Sequence, residues 1–244
     1  MSGFIDQNRA RFGVELSCRT LEVSASAYYH RRTGECSQRA LEDRRLLVVR
    51  GFARCLAGVD PWTEWPAGAG WVLHPKYDGW RLLAETKTAG RVCAWSRNGT
   101  SLTARLAELL APIAALGAGW VFDGELIALS YRAGSPVQDF AAVGPAVFGG
   151  DHDAIARLHY VAFDVLAAGE AGDIQSRPLH DRAAMLADRF PADRRLRVVS
   201  TLPADPDTHA RLVSIGFEGR VLKYENSSYR GGRSRSCRKL KAST

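Results

Sequence analysis

His74-Pro75-Lys76-Tyr77-Asp78-Gly79-Trp80-Arg81 joins two apolar segments and sets a lysine, a carboxylate, a glycine and an arginine close together. A lysine attacks as a nucleophile only as the neutral amine, so it needs burial or a nearby cation to loosen its proton. A basic surface loop would contain the same residue types. The companions found elsewhere in the chain decide between the two.

Outward from this stretch the sequence reads as short β-like runs separated by turns. Trp71–Leu73, Trp80–Ala84, Arg91–Trp95, Trp120–Ile127, His159–Val165 and Arg220–Tyr224 have the apolar, β-branched and aromatic character of strands. Thr103–Leu116 and Leu179–Phe190 have helical spacing, the second opened near Pro178. Strands interrupted by single helices predict an α+β domain with antiparallel sheets. Upstream of about Arg50 the texture changes. Leu16, Leu21, Val23 and Tyr28 are spaced like apolar helix faces, and Ser24 can N-cap a second helix, which outlines a small helix-turn-helix. Pro61–Gly70 is rich in Pro, Gly and Trp and reads as a connector. The expected organisation is a helical segment over 1–50, a linker over 51–65 and the α+β domain over 66–244.

The composition narrows the setting. A hydrophobic fraction of 46% suffices for a packed core. No apolar run reaches the roughly 20 residues of a membrane span, and no signal-peptide core opens the chain. The five cysteines, Cys18, Cys36, Cys55, Cys93 and Cys237, are odd in number and lack C-x-x-C spacing. They read as free thiols in a reducing compartment, so the expected location is cytoplasmic. A net charge of +7 and a basic end carrying Arg230, Arg233, Arg235, Arg238, Lys239 and Lys241 favour a polyanionic partner, chiefly nucleic acid. Arginine-rich genome composition would give a similar balance.

Four more segments belong with the lysine. Ser96-Arg97-Asn98-Gly99 follows a strand and forms a turn. Asp123-Gly124-Glu125 buries carboxylates in an apolar strand, which is costly unless they meet a cation or a hydroxyl. Phe217-Glu218-Gly219-Arg220-Val221-Leu222-Lys223 sets a glutamate beside a β run. Lys239-Leu240-Lys241 alternates two lysines so that both face one way on a strand.

In this order the segments resemble the motifs of the covalent-lysine nucleotidyltransferases: DNA ligases, RNA ligases and capping enzymes. From about Pro66 to Lys241 the chain is most similar to the adenylation domain of bacterial ATP-dependent DNA ligases, especially ligase domains of end-joining type. The resemblance implies an antiparallel-sheet, ATP-grasp-like nucleotidyltransferase fold and ATP and Mg²⁺ as cofactors. It implies nicked double-stranded DNA as partner for a monomer that touches no membrane.

The same resemblance implies the roles. Lys76 would attack the α-phosphate of ATP, forming lysyl-AMP and releasing pyrophosphate. Glu125 and Glu218 would bind the nucleotide or the metal, and Phe163 would stack on adenine. Lys239 and Lys241 would neutralise charge developing on phosphate. Asp78, Gly79, Arg81 and Arg97 would contact the nucleotide, its ribose and the nick. Each position has a plainer reading: Phe163 as core, Arg97 as a solvated turn, Glu125 as an arginine's partner, Lys239 as part of a solvated tail.

The sequence departs from the family pattern at two places. His74 stands where a glutamate that contributes to adenine recognition is usual, and Cys237-Arg238 replace an aromatic–aliphatic pair ahead of the final lysines. Those substitutions predict altered base recognition and a poorly packed last strand. The sequence stops at Thr244, before the OB-fold domain that follows in such ligases. The expectation is therefore an OB-fold that is absent or supplied by a separate repair partner, with self-adenylation and sealing reduced. Phe4–Arg9, Phe12–Glu15 and Cys18–Tyr29 resemble the start of an insertion-element transposase of the integrase-related class, without its catalytic acids. A non-catalytic DNA-binding remnant of a mobile-element and ligase fusion is the alternative to an enzyme; an RNA ligase or capping enzyme is a third reading.

Overall fold

The computed structural model describes residues 55–58 and 69–241, all within the unit Phe52–Thr244. The helical and transposase-like segment expected over 1–50 lies outside the described residues. Within the expected linker, Cys55–Gly58 forms strand β1; the other residues of 51–65 lie outside the described residues.

Two sheets make up the domain. The first runs β1, β11 (Gly232–Lys241), β10 (Gly219–Tyr224), β2 (Trp71–Pro75), β9 (Leu202–Pro203). The second runs β4 (Arg91–Ser96), β3 (Trp80–Lys87), β5 (Val121–Arg132), β7 (Leu158–Ala167), β8 (Leu196–Val198), with β6 (Ser135–Gln138) paired to the end of β5. The sheets are antiparallel-rich, as expected, with a parallel pairing only at the β1 and β8 edges. β1 runs parallel to β11 and β8 parallel to β7, while the other pairings are antiparallel. The α+β class stands.

Strand alternation builds the core. On the second sheet Leu82, Ala84, Phe122, Leu126, Tyr160 and Ala162 share one face and are buried with residues from the helices. The opposite face carries Arg81, Asp123, Glu125 and Val161. On the first sheet Leu73 and Leu222 face Leu212 of helix α5 (Pro206–Ser214), with Trp71, Leu202, Phe217 and Leu240 around them. Asp205 caps α5, accepting from the Thr208 N–H at 2.7 Å, and Pro206 occupies its first turn.

The expected helix over Thr103–Leu116 is a short α1 (Ala107–Leu110) that tightens into a 3-10 helix (Ala111–Leu116). Pro112 stands at the junction, and its missing N–H removes an α-helical donor. Helices α2 (Phe140–Phe148) and α3 (His152–Ala156) follow β6 and are not evident in the sequence pattern; Pro145 and the Gly-rich flanks conceal α2. Leu179–Arg189 forms α4 with Pro178 at its N-cap, as expected.

Candidate active site

A cavity of about 780 Å³ takes its lining from the inner faces of both sheets and from the β2–β3 loop. Lys76 lies on that loop, where its N–H donates to the Gly219 carbonyl at 3.0 Å. Its Nζ forms an ion pair with the Glu218 carboxylate, from the residue preceding β10. The loop can turn into β3 only because residue 79 is glycine: a Cβ there would sit 2.2 Å from the Leu126 carbonyl oxygen. The Asp78 N–H donates to Gln138 Oε1 at 2.7 Å. Asp78 is not among the cavity-lining residues, although Gly79 and Arg81 are.

Arg81 is the second residue of β3, opposite Glu125 in the β3–β5 register. Its Nε donates to Asp123 Oδ1 at 2.8 Å, and a terminal nitrogen pairs with Oδ2. Tyr229 donates its hydroxyl to the same Oδ2 at 2.7 Å. Asp123 is fully buried, and its neighbouring charge holds the Arg81 guanidinium protonated above the usual arginine range despite burial. Glu125 sits differently: burial raises its carboxyl to about 7, against the opposing charge of Arg81. Lys76 and Lys239 also act on it electrostatically, which sets the three groups around one space.

Phe163 reaches the cavity through a β-bulge. Asp123 pairs with Asp164 and Gly124 with Ala162, so Phe163 is the extra residue on β7. Both Phe163 and Asp164 consequently line the cavity, though consecutive strand residues normally point apart. Two cations approach the ring: the Arg81 guanidinium carbon at 5.0 Å and Lys223 Nζ at 4.9 Å from its centroid. Behind it Asp164 accepts from Arg182 Nε at 2.8 Å and from a terminal nitrogen at 3.0 Å, a buried pair that ties β7 to α4.

The first sheet supplies the other wall. Lys239, Val221 and His74 lie side by side across β11, β10 and β2, and Cys237 lies beside Lys223. All five line the cavity. β11 keeps an unbroken register with β10 from Cys237 to Lys241, with Cys237 buried and Arg238 placed on the opposite face over the Trp71 ring at 5.5 Å. The substitution of Cys237-Arg238 therefore leaves the strand paired, contrary to the expected poor packing. Lys241 pairs with Gly219 through the backbone; its side chain lies outside the described residues.

His74 is buried, and its imidazole is held well below its ordinary pKa by burial and by Lys223. Its Nε2 lies 3.2 Å from Thr201 Oγ1, while Nδ1 has no hydrogen-bond partner among the described residues. Arg97 is exposed on the turn closed by the Gly99 N–H to Ser96 carbonyl bond of 3.0 Å, and it lines the cavity rim.

The structure thus gathers Lys76, His74, Gly79, Arg81, Arg97, Glu125, Phe163 and Lys239 around one cavity and sets Glu218 on Lys76; Asp78 stands aside. Sequence reasoning passed over Asp123 as Arg81's partner, and it missed Lys223, Asp164, Arg182 and Tyr229. Lys223 alone had a signal, being two residues beyond Val221 on the same strand face.

Cations, a lysine-bearing loop and an aromatic ring stand around one cavity. Comparison with known proteins makes the class specific: the chain belongs to the ATP dependent DNA ligase domain family, whose model matches residues 63–241. It is 36% identical over 176 residues to a probable DNA ligase of Streptomyces griseus, which covers 66% of this chain and 33% of that protein. It is 31% identical over 209 residues to a DNA ligase of Haloferax volcanii, covering 79% and 34%. The chain spans about a third of the length of these curated relatives. Among solved structures it resembles the ligase domain of Mycobacterium tuberculosis LigD, with a TM-score of 0.63 and 29% identity over 79% of this chain and 61% of that one.

Proposed function

We propose that this chain performs the nucleotidyl-transfer chemistry of an ATP-dependent DNA ligase, with Lys76 as the nucleophile. The observation that carries the reading is the Lys76–Glu218 pair at a cavity faced by Arg81, Glu125, Phe163, Lys223 and Lys239. A related mycobacterial DNA ligase D, 28% identical with a TM-score of 0.59, has been solved in complex with ATP.

In this reading Lys76 passes a proton to Glu218 and its neutral amine attacks the α-phosphorus of ATP. A P–N bond forms, the bond to the β-phosphate oxygen breaks, and pyrophosphate leaves. Phe163 stacks on the base, a face that Arg81 and Lys223 already polarise. Arg81, Lys223 and Lys239 offset the charge growing on the phosphates. A 5′-phosphate at a nick then takes the AMP and frees the lysine. The adjacent 3′-hydroxyl attacks that 5′-phosphate, AMP leaves, and the phosphodiester is closed.

Among the described residues no group of three or more His, Cys, Asp or Glu is gathered for a metal. Mg²⁺ needs no such group, since it commonly takes one or two carboxylates with phosphate oxygens and water. The donor set fits: Glu125, a buried carboxyl lining the cavity, would hold the ion together with phosphate oxygens, and Glu218 would join it once it has passed on the lysine's proton. When bound, the ion supplies charge neutralisation on the phosphates. We place the protein in the cytoplasm, acting as a monomer on nicked duplex DNA with an OB-fold clamp from a further domain or repair partner. Among the described residues no helix is long and apolar enough to cross a membrane.

Incubation with α-labelled ATP or GTP and Mg²⁺ tests this. The expected result is acid-labile, base-stable label from ATP that disappears in Lys76→Ala. Absence of label with either nucleotide refutes the catalytic reading, and label from GTP alone points to capping chemistry.

A further inference from the structure

Away from the cavity wall, four arginines converge where β7 and β8 begin. Arg157 immediately precedes β7, and its carbonyl accepts from the Leu129 N–H at 3.0 Å and lies 3.0 Å from His159 Nδ1. Arg194, Arg195 and Arg197 enter β8, where the Arg195 carbonyl accepts from the Tyr160 N–H at 2.8 Å and Arg197 pairs with Val161. All three of these arginines act electrostatically on the half-buried His159 ring, which fixes them as one cluster around it.

The acids that contact this group are engaged with Arg195. Arg195 donates to Glu108 at 2.8 Å, and its N–H donates to Asp193 Oδ1 at 2.8 Å. Arg157, Arg194 and Arg197 are exposed and form no ion pair with a described residue. Three exposed cations close together and outside any ion pair among the described residues raise the local potential and favour a polyanion over a single anion. Arg197 also acts on Tyr77, the residue after Lys76, and shares a strand face with the cavity-lining Val199. Arg197 therefore stands next to the cavity, at the near end of the group.

We propose that Arg157, Arg194 and Arg197 form a backbone-binding surface for the duplex DNA flanking the nick, reading phosphate without base sequence. The identity of the polyanion rests on the ligase reading; the surface itself rests on the arginine cluster. Guanidinium groups suit phosphate oxygens, and edge-strand positions present them without competing for the nucleotide cavity.

The test uses the full chain, fluorescent nicked duplex DNA and a salt series. A triple variant Arg157→Gln/Arg194→Gln/Arg197→Gln is compared with Arg91→Gln/Arg189→Gln/Arg211→Gln, which removes the same charge from exposed positions elsewhere. Every phosphate that the protein no longer neutralises lowers the slope of log affinity against log salt by about 0.9. The cluster variant is expected to lower it by about one to three and to weaken binding at low salt at least tenfold. The control variant should stay within about twofold. Self-adenylation with labelled ATP should be unchanged in both, which also certifies folding; if the wild type does not adenylate, unchanged circular dichroism serves that purpose. Equal slopes for the cluster variant and wild type, or equal losses in both variants, overturn the proposal. Failure of adenylation in the wild type counts against the catalytic reading and leaves the DNA-binding comparison decisive for the surface.

Discussion

Arg81 and Asp123 are locked by a two-point ion pair in which the carboxylate is fully buried and also accepts from Tyr229. The pair fixes the guanidinium against the Phe163 ring, so a charge that would otherwise sweep through solvent is aimed into the cavity. Removing one partner leaves the other charged and desolvated. Asp123→Ala is therefore expected to lose about 3–5 kcal/mol of folding stability. The double variant Arg81→Met/Asp123→Leu should recover most of that stability and none of the adenylation. Urea denaturation alongside labelled-ATP incorporation checks both halves; a double variant as unstable as Asp123→Ala contradicts the assignment of the loss to a stranded charge.

Much of this arrangement could be read from the chain before folding. The strands expected at Trp80, Arg91, Trp120, His159 and Arg220 all form, because alternating apolar residues leave one pairing that buries them. Lys76, Glu125 and Lys239 were visible as charges set in or beside β runs, and the resemblance to nucleotidyltransferase motifs is what joined them into one expected site. Asp164 and Arg182 were not, since their meeting depends on the bulge that turns Asp164 inward and on the docking of α4. Neither leaves a local pattern. The parallel pairings of β1 and β8 were equally hidden, because pairing direction is set by the path of the chain between strands. His74 was visible as a residue, but its burial and its engagement with Thr201 emerge only from the sheet.

Glu125 should make the protein less stable toward neutral pH. Its carboxyl ionises near its ordinary 4.5 when unfolded and near 7 when folded, so the native state holds more protons across that interval. Stability is greatest below the unfolded value and declines as pH rises through the folded one. At about 1.4 kcal/mol per pH unit the decline is on the order of 3 kcal/mol. Glu125→Gln should show none of this component. Urea midpoints for both proteins at about pH 5 and about pH 8 decide the matter, and parallel changes would remove the assignment.

Gly79 has no room for a side chain. Alanine there would force the loop off Leu126, displacing Lys76 and Arg81 together. Gly79→Ala is expected to lower stability by about 1–3 kcal/mol, as overpacking does, and adenylation by at least about tenfold, since small misplacements of a nucleophile are amplified in rate. Single-turnover labelling at saturating ATP isolates the second effect. A fully active alanine variant would mean that the loop relaxes freely.

Strand β11 permits a sharper test, because neighbouring residues on it should differ by face alone. Lys239 lies beside Val221 and His74 on the cavity wall, whereas Arg238 lies over Trp71 on the far side. If Lys239 acts on charge that develops during phosphoryl transfer, Lys239→Ala should slow adenylation by about a hundredfold and change the KM for ATP far less. Arg238→Ala removes the same charge one residue away. It should leave the rate near wild type and lower stability by about 0.5–1 kcal/mol by taking the guanidinium off the indole ring. Both variants reduce net charge equally, so a general electrostatic effect would slow both. Divergent rates would instead tie the effect to the side of the sheet on which each charge stands.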